Sequence, residues 1–236
     1  MPQLVHYVPL ITTVISTIFA HRLWRHWRSK PQATYLLWWF LGLVTYAVGT
    51  LTESLTTLFG WQESVFRAWY ISGALLGGAP LAQGTVYLLL SRRTANRLTA
   101  LLLLAVAFGA VCVLLSPIDR TLVEPARLSG RVFEWQWVRM VSPFINLYAV
   151  TFLVGGAFWS AWRYFRDRRS PARMWGNVAI AVGALLPGIG GTFTRFGHVE
   201  VLYVTELIGV LFVWLGYTVI VRDRQASVHA AQVASA

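Results

Sequence analysis

The chain has 236 residues, 56% of them hydrophobic and 12% charged, with a formal net charge of +11 and a pI near 10.7. A soluble domain carries about 25% charged residues, so this composition excludes one and predicts a single integral membrane domain. The positive charge sits in short stretches between apolar runs, with no nucleic-acid motif beside it, and this excludes nucleic acid as a partner.

Seven segments reach the roughly 20 residues that a membrane helix needs. The first, 5–22, has no charged leader before it, so no cleaved signal peptide is expected. It is followed by Arg22, Arg25, Arg28 and Lys30. The second, 35–55, places Tyr46, Gly49 and Glu53 on one helical face. The third, 65–90, opens with Arg67 and Tyr70 and aligns Gly73, Gly77 and Gly84 as a packing seam. Pro80 predicts a kink there, and Gln83 predicts an interhelical hydrogen bond. Arg92, Arg93 and Arg97 lead into the fourth span, 98–115, which holds the single cysteine, Cys112. One cysteine forms no intrachain disulfide and no metal site alone.

The longest loop, 116–142, alternates in RVFEWQWV and predicts a short hairpin, with Phe133, Trp135 and Trp137 on one side. That hairpin is a candidate lid or an interfacial anchor. The fifth span, 143–162, has Asn146 near its start and Arg163, Arg166, Arg168, Arg169 and Arg173 after it. The sixth, 175–194, contains Pro187, a second expected kink, and ends at Arg195. The seventh, 199–221, carries Tyr203, Glu206 and Val210 on one face, and Arg222 and Arg224 follow it.

The basic stretches after spans 1, 3, 5 and 7 fall on one side. The other side keeps Arg67, Arg120, Arg127, Arg131, Arg139 and Arg195. The positive-inside rule makes the rich side cytoplasmic. The prediction is therefore an all-α, seven-transmembrane helix bundle, 1–221, multi-pass in the plasma (inner) membrane among membrane lipids. Its N-terminus is outside, and a short cytoplasmic tail, 222–236, closes it. Tryptophans at the span ends, Trp24, Trp27, Trp61, Trp135, Trp137, Trp159, Trp162 and Trp175, read as interfacial anchors.

Covalent retinal needs a lysine inside a span, and the one lysine, Lys30, lies between spans. Haem is not expected, because His6, His21, His26, His198 and His229 all avoid mid-span positions. No H-E-x-x-H, P-loop or G-x-G-x-x-G signature points to metal hydrolysis or nucleotide binding. No nucleophile–base pair is visible, so catalysis is not expected, and any cofactor is left open. Ionisable groups inside a membrane are costly and face the bundle interior. Glu206 and Glu53 lie in the outer half, with Tyr203, Arg195, Arg67, Tyr70 and Asn146 around that end. Two arrangements are open. Glu206 with Arg195, and Glu53 with Arg67, form structural ion pairs; or these residues line a pocket for a small polar or amphiphilic ligand, a proton or a cation.

The WY-x-x-G opening at Trp69, Tyr70 and Gly73, the aromatic outer loop and GALLPGIGGTFTRFG with Pro187 and Gly197 form a set. In these features the chain resembles the N-terminal seven-helix region of bacterial sensor histidine kinases and diguanylate cyclases. That resemblance implies an input module. After Val221 only RDRQASVHAAQVASA follows, too short for a kinase or cyclase, so a signal would pass to a separate cytoplasmic or membrane partner. The expected function is a non-enzymatic sensor or ligand-binding module, or a subunit of a membrane complex. The alternative is a small-solute or proton-coupled transporter that uses Glu206.

Overall fold

The computed structural model of the chain describes residues 4–125, 127–168, 170–194 and 196–234. Long apolar runs can satisfy every backbone group internally only as helices, and a helical bundle forms. α1 (Val8–Ser29) and α2 (Thr34–Phe59) come first. α3 (Glu63–Trp69) runs into a π-helical stretch, Tyr70–Leu75, and after a turn α4 (Ala79–Leu89) continues the third predicted span. α5 (Arg92–Leu115) precedes the long loop. α6 (Val141–Ala149), a second π-helical stretch (Val150–Val154) and α7 (Gly155–Asp167) make up the fifth predicted span. α8 (Pro171–Thr194) and α9 (Val199–Ala234) complete the bundle.

Six segments of the described residues are helices long and apolar enough to cross a membrane. The third predicted span is the exception, because its helix is interrupted between Leu75 and Ala79. Gly77 adopts φ +45° there, a conformation an L side chain resists. Pro80 then sits in the first turn of α4, where its missing N–H costs nothing. The kink expected at Pro80 is thus a full break just before it. Pro187, by contrast, lies inside an unbroken α8.

The helices also outrun the predicted spans at the basic end. α1 extends to Ser29, α5 begins at Arg92, and α9 continues through the predicted tail as far as Ala234. Arg22, Arg25, Arg28, Arg97, Arg173, Arg222 and Arg224 therefore ride on helices rather than loops. Charge marks where an apolar environment stops, not where backbone hydrogen bonding stops. Local capping sets the starts. Ser91 Oγ accepts from the Thr94 N–H at 3.3 Å, and Ser170 Oγ accepts from the Arg173 N–H at 3.1 Å. Trp24, Trp159, Trp162 and Trp175 are exposed towards this end, as anchors require, and Arg28 and Arg166 stack over Trp24 and Trp162.

Two cores hold the bundle. Phe19, Leu23, Leu36, Leu43 and Val210 join α1, α2 and α9. Phe66, Tyr70, Leu75, Val113, Phe133 and Ile145 join α3, the π-helical stretch, α5, the long loop and α6. α8 and α9 pack through glycines at seven-residue spacing, Gly176, Gly183 and Gly190 on one helix and Gly209 and Gly216 on the other. A Cβ at Gly183 would stand 2.6 Å from the Gly209 carbonyl oxygen, and one at Gly209 would stand 2.7 Å from the Gly183 carbonyl oxygen. Of the seam expected in the third span, Gly73 packs on Gly49 and Gly84 on Trp39, while Gly77 is spent on the turn.

The long loop is not the expected hairpin. Among the described residues only two isolated bridges form, Ile118 with Phe133 and Glu124 with Arg127, joined by short 3-10 turns. The alternating pattern fails because the three aromatics do not share a side. Phe133 is fully buried, 5.0 Å from the Phe66 ring and edge-on to Tyr70 at 4.8 Å. Trp135 and Trp137 are exposed and stacked on each other. Phe133 is a plug in the core, and only the two tryptophans are placed to cover anything outside it. The loop's first turn is capped by Asp119. The hydroxyl of Thr121, and then its backbone N–H, hold the Asp119 carboxyl below the usual range. Because that value is depressed on folding, the cap is intact above the unfolded value and is lost as pH falls through the folded one. Faster hydrogen exchange of the Thr121 amide, relative to its neighbours, is the expected signature in acid.

Candidate functional site

Glu53 lies on α2 and is only 4% exposed. Its position, two turns before the Gly60 cap, turns it towards α3, where Trp69 Nε1–H donates to its Oε1 at 3.0 Å. Glu206 lies two turns into α9. Its main chain is tied to α2, because the Tyr46 hydroxyl donates to the Glu206 carbonyl at 2.8 Å. Part of the Glu206 side chain is accessible, yet its carboxyl oxygen Oε2 is sealed from solvent.

The two carboxyl groups lie close enough to act on each other electrostatically, and Oε2 of each is buried with no hydrogen-bond partner among the described residues. Two acceptors can bridge only when one of them carries a proton, or when a cation stands between them. The alternative, two bare carboxylates in contact, costs about 4 kcal/mol at 4 Å even with an effective dielectric near 20. Neither acid appears in the described ion pairs, which engage Glu63, Glu124, Glu200 and Asp223.

Aromatic groups close the pair in. Tyr203, one turn before Glu206, is 4% exposed, and the His6 ring lies edge-on to it at 6.0 Å. Gly49, one turn before Glu53, faces the Gly73 backbone, and a Cβ there would make ordinary contact at 3.5 Å from Gly73 Cα. The pair therefore sits where α2 and α9 of one core meet Trp69 of the other.

Of the residues singled out in the sequence, Glu53, Glu206 and Tyr203 come together. Arg67 does not join them and does not pair with Glu53. It bonds Glu63 at 2.8 Å and reaches across to the end of α5, donating to the carbonyls of Val113, Leu114 and Ser116. That arginine is a helix cap, matching a cation to the negative end of the α5 dipole. Arg67→Ala is expected to lower stability by about 2 kcal/mol, as lost charge-assisted hydrogen bonds do. Thermal unfolding of the purified protein in detergent checks it.

Tyr70 packs on Phe133, and Ser142 Oγ donates to its hydroxyl at 3.4 Å. Asn146 Nδ2 donates to the Ala74 carbonyl at 3.1 Å, freed by the break after the π-helical stretch. These two residues organise the broken crossing rather than the acid pair. Arg195 lies outside the described residues. Gln83 makes the expected interhelical bonds, to Thr99 at 2.7 Å and to Tyr148. No cluster of three or more metal-binding side chains occurs among the described residues.

Trp69 is the site residue that sequence reasoning missed, having been read only as part of a motif. The signal was its place at the end of α3, the helix that follows the one carrying Glu53 after a short turn. Comparison with known protein families, with characterised proteins and with solved structures gives no match.

Proposed function

We propose that the chain is a non-enzymatic multi-pass membrane protein that acts as a stand-alone sensor or as a subunit of a membrane complex. In this reading its N-terminus is outside and its C-terminus cytoplasmic. The site in the outer half binds a proton or a small cationic group between Glu53 and Glu206. One observation carries the reading: Glu53 and Glu206, on helices far apart in sequence, lie near each other, and each has a buried carboxyl oxygen with no hydrogen-bond partner among the described residues. Intramembrane acids of this kind are retained for function rather than stability. The resemblance to seven-helix input regions supports the sensor role, with Trp69 of the shared motif holding Glu53 in place.

Infrared spectroscopy of the protein in lipid nanodiscs tests it. A protonated-carboxyl band that shifts on deuteration, responds to pH or added organic cations, and vanishes in Glu206→Gln is the expected result. A band unchanged in Glu206→Gln ends the proposal.

A second reading, proton-coupled transport, is favoured by the interrupted third crossing, since broken helices are where transporters build their sites. Uptake by proteoliposomes under a proton gradient, abolished in Glu206→Gln, would establish it. Absence of pH-driven uptake leaves the sensor reading in place.

A further inference from the structure

At the opposite, basic end a cavity of about 360 Å³ lies between α1, α2, α4, α7, α8 and α9. Its volume is that of a small-molecule pocket. No site assigned above includes it.

One face of α7 makes its long wall. Gly156, Ala157, Ser160, Arg163, Tyr164 and Asp167 all line it, at positions i, i+1, i+4, i+7, i+8 and i+11. That stripe is about 16 Å long at 1.5 Å per residue. It is graded. Gly156 lets Thr85 of α4 come close, and Ala157 and Ser160 leave room at the inner end, where the facing walls are Phe19, Leu43, Leu81 and Val213. The charged residues stand at the rim.

The polar groups of the inner wall are already spent on protein. Trp39 Nε1–H donates to the Leu81 carbonyl, Thr85 to the same carbonyl, and the Tyr217 hydroxyl pairs with His26. The inner chamber therefore offers apolar surface. Two groups differ. The half-buried Ser160 hydroxyl and the Arg163 guanidinium have no hydrogen-bond partner among the described residues. Asp167 on the same rim is engaged within the protein. Arg173 beside it is held by Asp223 at 2.7 Å. Among the described residues that line the cavity, the open cation at the mouth is thus Arg163, in surroundings enriched in arginine.

We propose that this cavity binds one single-chain amphiphile with an anionic headgroup, its chain against Gly156 and Ala157 and its headgroup on Arg163. A zwitterionic or neutral amphiphile lacks the charge that Arg163 would meet. The site is separate from the acid pair, so the Glu53→Gln/Glu206→Gln protein should bind the amphiphile as the wild type does.

Native mass spectrometry of the full chain, titrated with lysophosphatidylglycerol and with lysophosphatidylcholine, tests the assignment. One saturable copy of the anionic lipid is expected, bound at least tenfold more weakly after Ser160→Trp, which fills the stripe. Arg163→Gln should remove most of the preference for the anionic over the zwitterionic lipid. Ala157→Leu fills the same space if Ser160→Trp does not fold. Binding that never saturates, or that is unchanged in the folded filling variant, marks surrounding bilayer lipid only and overturns the proposal. Equal binding of the two lipids by the wild type overturns the anionic assignment.

Discussion

Gly183→Leu is expected to force α8 and α9 apart and to cost about 3 kcal/mol, at the upper end for overpacked sites. The atoms in the way are not adaptable. A Cβ at 183 would stand 2.6 Å from the Gly209 carbonyl oxygen and 2.9 Å from the Val213 nitrogen, both backbone. No rotamer change relieves that, so the helices themselves must separate. Even Gly183→Ala should lose about 1–3 kcal/mol. Gly188 on the same helix is the matched control, because a Cβ there meets nothing within 4 Å. Gly188→Ala should gain up to about 1 kcal/mol, the ordinary helix preference for alanine. Opposite signs at positions five residues apart, read by thermal unfolding in one detergent, would establish that close approach governs the effect. Equal effects would show that the seam is not tightly packed. In lipid this packing matters more than in water, because apolar burial between helices brings no gain over the lipid itself.

The helical architecture was legible because chain length in the apolar runs is itself the signal, and nothing but a helix fits it. Where the helices stop was not legible from hydropathy. Arg22 to Arg28 continue α1, and the residues after Val221 continue α9, since polar side chains do not end a helix. The break before Pro80 was half legible. Proline predicted a disturbance, but Gly77 in the left-handed region turned a kink into an interruption. The long loop misled, because period-two alternation over RVFEWQWV reads as a strand only if the pleat forms. Here 3-10 turns intervene and send Phe133 inward and the tryptophans outward.

The site divides along the same line. Helical spacing put Tyr46 and Glu53 on one face and Tyr203 and Glu206 on another, and those faces do meet. The partners could not be read, because an arginine's reach spans several helices. Arg67 was free by sequence to pair with Glu53 and instead caps α5. The basic-end cavity was visible only as small residues followed by charged ones along α7. Such a pattern acquires meaning once the facing walls are known to be apolar.

Glu53→Leu and Glu206→Gln are expected to separate the two things the acid pair does. Glu53→Leu strips Trp69 of the acceptor for its Nε1–H and leaves Glu206 facing an apolar group. Stranding buried polar groups in this way costs about 1–3 kcal/mol each, so a loss of about 3 kcal/mol is expected. Glu206→Gln is different. Its amide N–H can donate to the Glu53 carboxylate, replacing the bridging proton with a fixed donor, and the backbone bond from Tyr46 is untouched. Stability should stay within about 0.5 kcal/mol, as for substitutions that leave no group stranded. Response to protons or cations should disappear, because the remaining carboxylate has its donor at every pH. The double variant Glu53→Leu/Glu206→Leu removes both partners at once and should recover much of what Glu53→Leu loses, since a sealed polar pair exchanged for apolar groups is close to neutral. A thermal-unfolding cycle completed with the single variant Glu206→Leu should therefore show a coupling of about 1–3 kcal/mol between positions 53 and 206. Additive losses would mean that the carboxyls do not meet in the membrane, and the site would lose its basis. Coupling together with a silent Glu206→Gln would define a pair kept for binding rather than for holding α2 to α9.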